Sequence, residues 1–263
     1  MSASATETVL VERAESIATV TLNRPPHNPM GMAMVDRLEE LFPELESDKS
    51  IRVIILTGAG ERSFSVGADI REFGKGASEM GLKGLIGQRL RLVELAENLE
   101  KPIICAIRGA CVGGALELAL GCHFRLAAQG ARIGLPEIEL GIVPAWGGTQ
   151  RLTRTVGRAH ALDLMLRAKK IGADEALRIG LVHEVCEPEE LLERARALAG
   201  ELAMKPPLAV AGILKAVIQG GPLRLHEGLD LEFEALTRTS GSKDAREGIT
   251  AFLEKRQPVF RGE

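Results

Sequence analysis

Two glutamates stand in a stretch whose composition otherwise suits a packed core. Glu117 interrupts the run Ala115-Leu116-Glu117-Leu118-Ala119-Leu120, and Glu137 follows Leu135-Pro136 twenty residues later. An ionised carboxylate buried without a partner is costly, or its pKa is forced upward. No Arg or Lys falls close in sequence to Glu117. A carboxyl group with a raised pKa is what general acid–base chemistry near neutral pH requires. Taken singly, each glutamate also has a plainer account. Glu117 could bend to the surface or cap a neighbouring backbone. Pro-Glu after a strand is ordinary turn chemistry, and Glu139 competes with Glu137 at alternate-residue spacing.

The surrounding glycines strengthen the chemical reading. Gly109, Gly113 and Gly114 lie between an apolar run at 102–107 and a helix expected to open near Gly113. A strand, a glycine-rich turn and a helix start bring unpaired N–H groups and the positive end of the helix dipole together. Such a point can hold a phosphate or a developing oxyanion. The spacing is neither the dinucleotide fingerprint nor a P-loop, and no Gly-x-Ser-x-Gly elbow occurs. An oxyanion site beside Glu117, three residues on from Gly114, is the reading the pattern favours.

The elements that must carry these residues follow from periodicity. Residues 8–13 and 17–22 read as a strand pair. The proline-rich segment 23–29 must be extended or turned. A helix is expected over 32–46, with Val35, Leu38, Leu41, Phe42 and Leu45 on one face, then a strand over 51–56. Residues 61–76 read as a loop and 78–99 as a long helix weakened by Gly81, Gly84 and Gly87. Further strands are expected at 102–107, 123–128, 132–134 and 182–186. Helices are expected around 148–155, 158–167, 173–179 and 187–204. After Pro206-Pro207, three more are expected over 208–219, 223–239 and 244–254. Composition alone supports an α/β chain with an α-rich end, with a core domain over 1–200 and a helical region over 201–263.

Length and composition exclude several functions. A formal net charge of −3 and the scarcity of aromatic residues argue against a nucleic-acid surface. No run of about 18 apolar residues is present to span a membrane, and the N-terminus MSASATETVL has neither the basic nor the apolar region of a signal peptide. Cys105, Cys111, Cys122 and Cys186 lack metal or redox spacing, and the scattered histidines support no metal site. These features fit small core cysteines in a reducing, cytoplasmic setting.

Several motifs in order now resemble those of the crotonase (enoyl-CoA hydratase/isomerase) family, and specifically enoyl-CoA hydratase. They are Phe64 to Ile70, Gly109 to Leu120, Leu135-Pro136-Glu137 through Gly147-Gly148-Thr149-Gln150-Arg151-Leu152, and Ala251 to Arg256. The resemblance covers nearly the whole chain. It implies a spiral of repeated β-β-α units with a C-terminal helical trimerisation region, assembling as a homotrimer or a dimer of trimers. It implies hydration of an α,β-unsaturated acyl-CoA, with coenzyme A entering as part of the substrate and no separate cofactor. Glu117 would be the base, Glu137 the acid, and the Ala68 and Gly114 N–H groups the oxyanion hole. Coenzyme A would meet Arg24, the loop Val66–Ile70 with Ala68 and Asp69, and Phe252 and Lys255 of a neighbouring subunit, Asp69 also holding its loop. Trp146 departs from the pattern, since many members carry a small residue there. It either narrows the acyl pocket or packs into the core or a subunit contact. A Δ3,Δ2-enoyl-CoA isomerase needs only one proton-carrying carboxylate, so the presence of two favours a hydratase. A hydratase for a betaine, branched or cyclic enoyl-CoA stays open, and a non-enzymatic RNA-binding role, known for one branch, conflicts with the acidic balance.

Overall fold

The computed structural model describes residues 7–263; residues 1–6, on which the reading of the N-terminus partly rests, lie outside them. The two N-terminal apolar runs pair antiparallel as β1 (Val9–Ala14) and β2 (Ile17–Leu22). Alternation along β2 buries Ala18, Val20 and Leu22 on one face. Helix α1 (Met32–Ser47) buries the expected stripe, with Met34 added to it.

Three β-β-α turns follow. The first is β3 (Val53–Gly58), β4 (Ser63–Ser65) and α2 (Ile70–Glu97); the second is β5 (Ile103–Ile107), β6 (Ala110–Val112) and α3 (Gly114–Gly121). The third is β7 (Phe124–Ala128), β8 (Arg132–Gly134) and α4 (Gly148–Leu166), with a short 3-10 turn, Glu137–Leu140, before the helix. Helix α5 (Ala173–Arg178) and β9 (Glu184–Cys186) then lead into α6 (Leu191–Ala203). The first strand of each turn enters a six-stranded sheet ordered β1-β2-β3-β5-β7-β9, and the second enters a parallel three-stranded sheet β4-β6-β8. Parallel neighbours require a crossover; α1 alone carries β2 to β3, and a short strand followed by helix supplies each later one. The expected β-β-α spiral is therefore present.

Central strands covered on both faces read as unbroken apolar runs. On one face Ile54, Leu56, Ile103, Cys105 and Ile107 join the main core with residues of α1 to α4. On the other, Val53, Ile55, Ile104, Ala106, Leu126 and Ala128 meet Leu191, Ala195, Ala199 and Ala203 of α6. Each Leu or Ile so buried contributes about 1.5–3 kcal/mol relative to exposure. Residue 200, the expected edge of the core, falls within α6. Beyond Pro206, α7 (Pro207–Gly220), α8 (Leu225–Ser240) and α9 (Lys243–Glu254) complete the chain.

Three sequence expectations need correction. Residues 61–76 are not a loop throughout, because β4 lies inside them and α2 starts at Ile70 rather than Ser78. The turn between β5 and α3 contains β6. A three-residue strand is too short to show a period. Helix α6 starts at Leu191 rather than Glu187. Two glycines placed as helix weakeners or gaps do act so: α2 breaks at Gly81 (φ +73°) and α4 at Gly157 (φ +78°). Among the described residues no single helix is long and apolar enough to cross a membrane, and no cluster of His, Cys, Asp or Glu is arranged to hold a metal ion.

Candidate active site

The site is built where the second and third turns of the spiral meet. Gly113 (φ +61°) ends the strand β6 and starts α3, whose eight residues are all buried. Glu117 lies one turn into that helix and is 2% exposed, so it does not bend to the surface. Its Oε1 accepts hydrogen bonds from the Trp146 N–H and the Gly148 N–H, each at 2.7 Å. Between these donors Gly147 adopts φ +99°, a conformation that glycine adopts without penalty, and this turn aims both N–H groups at one oxygen. Gly148 must also be small, since a Cβ there would stand 2.8 Å from Glu117 Oε1. Burial pushes the Glu117 carboxyl up to about 8, with the nearby Glu137 charge acting the same way and the two N–H donors opposing.

Glu137 opens the 3-10 turn and faces Gly113 from the other side. A Cβ on Gly113 would lie 3.2 Å from Glu137 Oε1. Glu137 Oε2 is buried with no hydrogen-bond partner among the described residues. Burial raises this carboxyl too. Glu139 points elsewhere: its side chain is exposed and lies 3.6 Å from Lys170 Nζ.

Backbone donors complete the constellation. Met30 and the loop 67–69 form a small parallel bridge, with the Met30 N–H donating to Gly67 O at 2.8 Å and the Asp69 N–H to Met30 O at 3.1 Å. The Ala68 N–H between them has no acceptor among the described residues, and neither has the Gly114 N–H at the start of α3. The two loops touch: a Cβ on Gly67 would stand 2.9 Å from the Gly114 nitrogen. Two free donors thus lie beside one buried and one half-buried carboxyl.

Trp146 is buried in the main core, directly beside these groups. It is 4% exposed, and its ring covers Gly114 so closely that a Cβ there would come within 2.7 Å of Trp146 Cζ3. Its backbone holds Glu117 while its indole packs against the Cα of Gly114. The remaining expected residues are placed differently. Arg24 donates to Pro29 O at 3.0 Å and to Asp69 Oδ2 at 2.9 Å, and lies 3.6 Å from Glu72. Asp69 also accepts from the Arg71 N–H at 3.1 Å, capping α2. Val66 and Ile70 are exposed on the same loop. Phe252 and Lys255 are exposed on and just after α9, which packs on α8. Sequence reasoning missed the support behind the Trp146 loop, where Arg151 donates to Trp146 O at 3.3 Å and pairs with Glu97 at 2.5 Å. The signal available was Arg151 itself, three residues after the pair Gly147-Gly148.

The spiral and its site define a crotonase-class protein. Residues 12–263 match the family model described as enoyl-CoA hydratase/isomerase, and the chain belongs to that family. It is 43% identical over 250 residues to a probable enoyl-CoA hydratase of Bacillus subtilis, covering 94% of this chain and 96% of that one. It is 40% identical over 252 residues to the short-chain-enoyl-CoA hydratase of Clostridium acetobutylicum, covering 95% of each. It is 39% identical over 257 residues to the crotonyl-CoA hydratase of Syntrophomonas wolfei, covering 97% of this chain and 98% of that one. The crystal structure of an enoyl-CoA hydratase from Bacillus anthracis superposes with a TM-score of 0.93 at 37% identity, covering 97% of this chain and 100% of that one.

Proposed function

We propose that the protein is an enoyl-CoA hydratase, adding water across the C2=C3 bond of an α,β-unsaturated acyl-CoA to give a 3-hydroxyacyl-CoA. The observation that carries this reading is a buried and a half-buried carboxyl flanking one pair of unpartnered N–H groups. The thioester carbonyl oxygen accepts from the Ala68 and Gly114 N–H groups, which stabilise the enolate-like charge that develops there. Glu117 is the base. Two N–H donors on Oε1 favour its anion and leave Oε2 to take a proton from water as the oxygen bonds to C3. Glu137 is the acid, because its Oε2 lacks the N–H donors that support the Glu117 anion; its proton goes to C2. The pair therefore starts with one proton and ends with one, moved from Glu137 to Glu117. An isomerase would need only one of these carboxyls. The direct test is loss of the conjugated-thioester absorbance of crotonyl-CoA, compared with shift of a β,γ-double bond in the 3-enoyl isomer. Isomerisation without hydration would overturn the proposal.

The single-proton requirement sets the pH dependence. The active pair holds one proton, so kcat/KM falls in acid as the second carboxyl protonates and in alkali as the last proton is lost. With Glu117 as the base, the acid limb is expected near pH 8, the value to which burial pushes Glu117. A profile flat from well below that pH up to it would remove Glu117 as the base.

Trp146 points to short or compact acyl groups, a reading supported by the two relatives named for short-chain and crotonyl substrates. An indole fills about 200 Å² of contact surface that a small residue leaves open. Trp146→Ala keeps the backbone N–H to Glu117 and is expected to raise kcat/KM for longer chains relative to crotonyl-CoA. The gain should be roughly 1–3 kcal/mol for each methylene newly accommodated. The check is kcat/KM from crotonyl-CoA to dodecenoyl-CoA in both proteins; an unchanged profile would place the ring outside the acyl path.

The helical end supports assembly as a homotrimer or a dimer of trimers. Phe233 of α8 is 69% exposed and Phe252 of α9 is 82% exposed, with Leu225, Leu229, Leu236 and Leu253 also exposed, more apolar surface than a lone chain leaves in water. Coenzyme A would then lie between Arg24 and the Val66–Ile70 loop of one subunit and Phe252 and Lys255 of the next. Light scattering should give a mass three or six times that of the chain. Lys255→Ala should raise KM with kcat little changed, as loss of uniform binding does. A monomer of unchanged affinity would remove both claims.

A further inference from the structure

Asn28 is fully buried, and its backbone sits at φ +47° in the middle of the proline-rich segment. Its side chain uses every polar atom it has. Nδ2 donates to the carbonyls of Ala59 at 2.9 Å, Ser63 at 2.9 Å and Phe64 at 3.2 Å, while Oδ1 accepts from the Arg24 N–H at 3.0 Å. Two hydrogens shared among three carbonyls leave no donor capacity spare. Its own carbonyl accepts from Ser65 Oγ at 2.6 Å, and that same hydroxyl oxygen accepts from the Gly67 N–H at 3.1 Å. One residue further on stands the free N–H of Ala68. Ser65 is also paired with Cys111 in the parallel β4–β6 ladder, and β6 runs directly into Gly113 and Gly114. A single buried residue, through its side-chain amide and its own carbonyl, therefore references both free N–H groups to one short strand.

We infer that Asn28 is the positioning residue of the oxyanion hole, setting the Ala68 N–H against the Gly114 N–H through β4 and the Ser65 hydroxyl. It touches no substrate atom, and it acts only by where it holds the two donors. The inference rests on the hydratase reading above.

Asn28→Gly tests it, because glycine accepts the positive φ and loses only the side-chain bonds. Misplacing a catalytic donor by about 1 Å can cost about a hundredfold in rate. The expected result is a fall in kcat for crotonyl-CoA of about tenfold to a hundredfold, with KM changed less than about threefold, as for a contact made chiefly in the transition state. The second readout is the carbonyl stretch of bound butyryl-CoA, which cannot react. Two N–H donors lower that frequency, and the lowering should shrink in Asn28→Gly. Ser65→Ala, which leaves Asn28 in place, should shrink it by a smaller amount and serves if the first variant does not fold. A folded variant with the full carbonyl shift overturns the inference, whether or not kcat falls, since the loss would then have arisen elsewhere. Failure of the wild type to hydrate any enoyl-CoA would sink the hydratase reading instead, and the butyryl-CoA shift would still report on the donors.

Discussion

Glu117→Gln and Glu137→Gln each lower kcat for crotonyl-CoA hydration by at least about a hundredfold, the low end for loss of a general acid or base. Neither change alters side-chain volume much, and in Glu117→Gln the amide oxygen still accepts from the Trp146 and Gly148 N–H groups. What is lost is the capacity to take or give a proton. The two variants differ in a second measurement, the dependence of stability on pH. Glu117 has a folded-state pKa raised from 4.5 to about 8. Below the unfolded value both states hold the proton and burial costs nothing. As pH rises past it, the unfolded chain ionises first, so stability falls until the folded carboxyl also ionises near pH 8. Glu117→Gln removes this loss, and its melting temperature should exceed that of the wild type at pH 8 while matching it near pH 4. Near-normal kcat in either folded variant would remove that residue from the mechanism. Dependence on Glu137 alone would favour the isomerase.

Glu117 was legible because packing alone gives no reason for a charge inside an apolar helix. The choice between Glu137 and Glu139 was not, since both sit in one 3-10 turn and only the fold shows Lys170 beside the second and Gly113 beside the first. Main-chain chemistry left the weakest trace. The free Ala68 N–H could be named only through family resemblance, because any residue type carries an N–H. Trp146 was noticed for its ring, while its N–H on Glu117 depends on Gly147 turning at φ +99°. Helices of many turns showed their stripe in the sequence, whereas β4 and β6, at three residues each, could not. Arg24, expected through the resemblance to meet coenzyme A, is engaged with Asp69 and Glu72. Asn28 read as one more turn residue among prolines, and only its burial reveals the network it holds.

Gly67→Ala carries the second large effect. Gly67 sits at φ +84°, where a side chain is strained by about 1–3 kcal/mol whatever its surroundings. Here the surroundings also forbid it. A Cβ would stand 2.8 Å from Val112 O and 2.9 Å from the Gly114 nitrogen, both main-chain atoms that no rotamer change can move aside. Relief must come by separating the 66–69 loop from the start of α3, and that separation is the distance between the two N–H donors. The expected fall in kcat approaches that for losing one oxyanion donor, about a hundred- to a thousandfold, or roughly 2.7–4 kcal/mol. Gly60→Ala is the control. Gly60 has a similar φ of +77°, yet the nearest atom to its Cβ would be Pro25 Cβ at 3.6 Å, an ordinary contact. Both variants should therefore lose stability from backbone strain, while only Gly67→Ala loses turnover as well. Melting temperature and kcat measured side by side separate the two effects. A folded Gly67→Ala with turnover close to that of Gly60→Ala would show that the two loops need not touch for the chemistry to proceed.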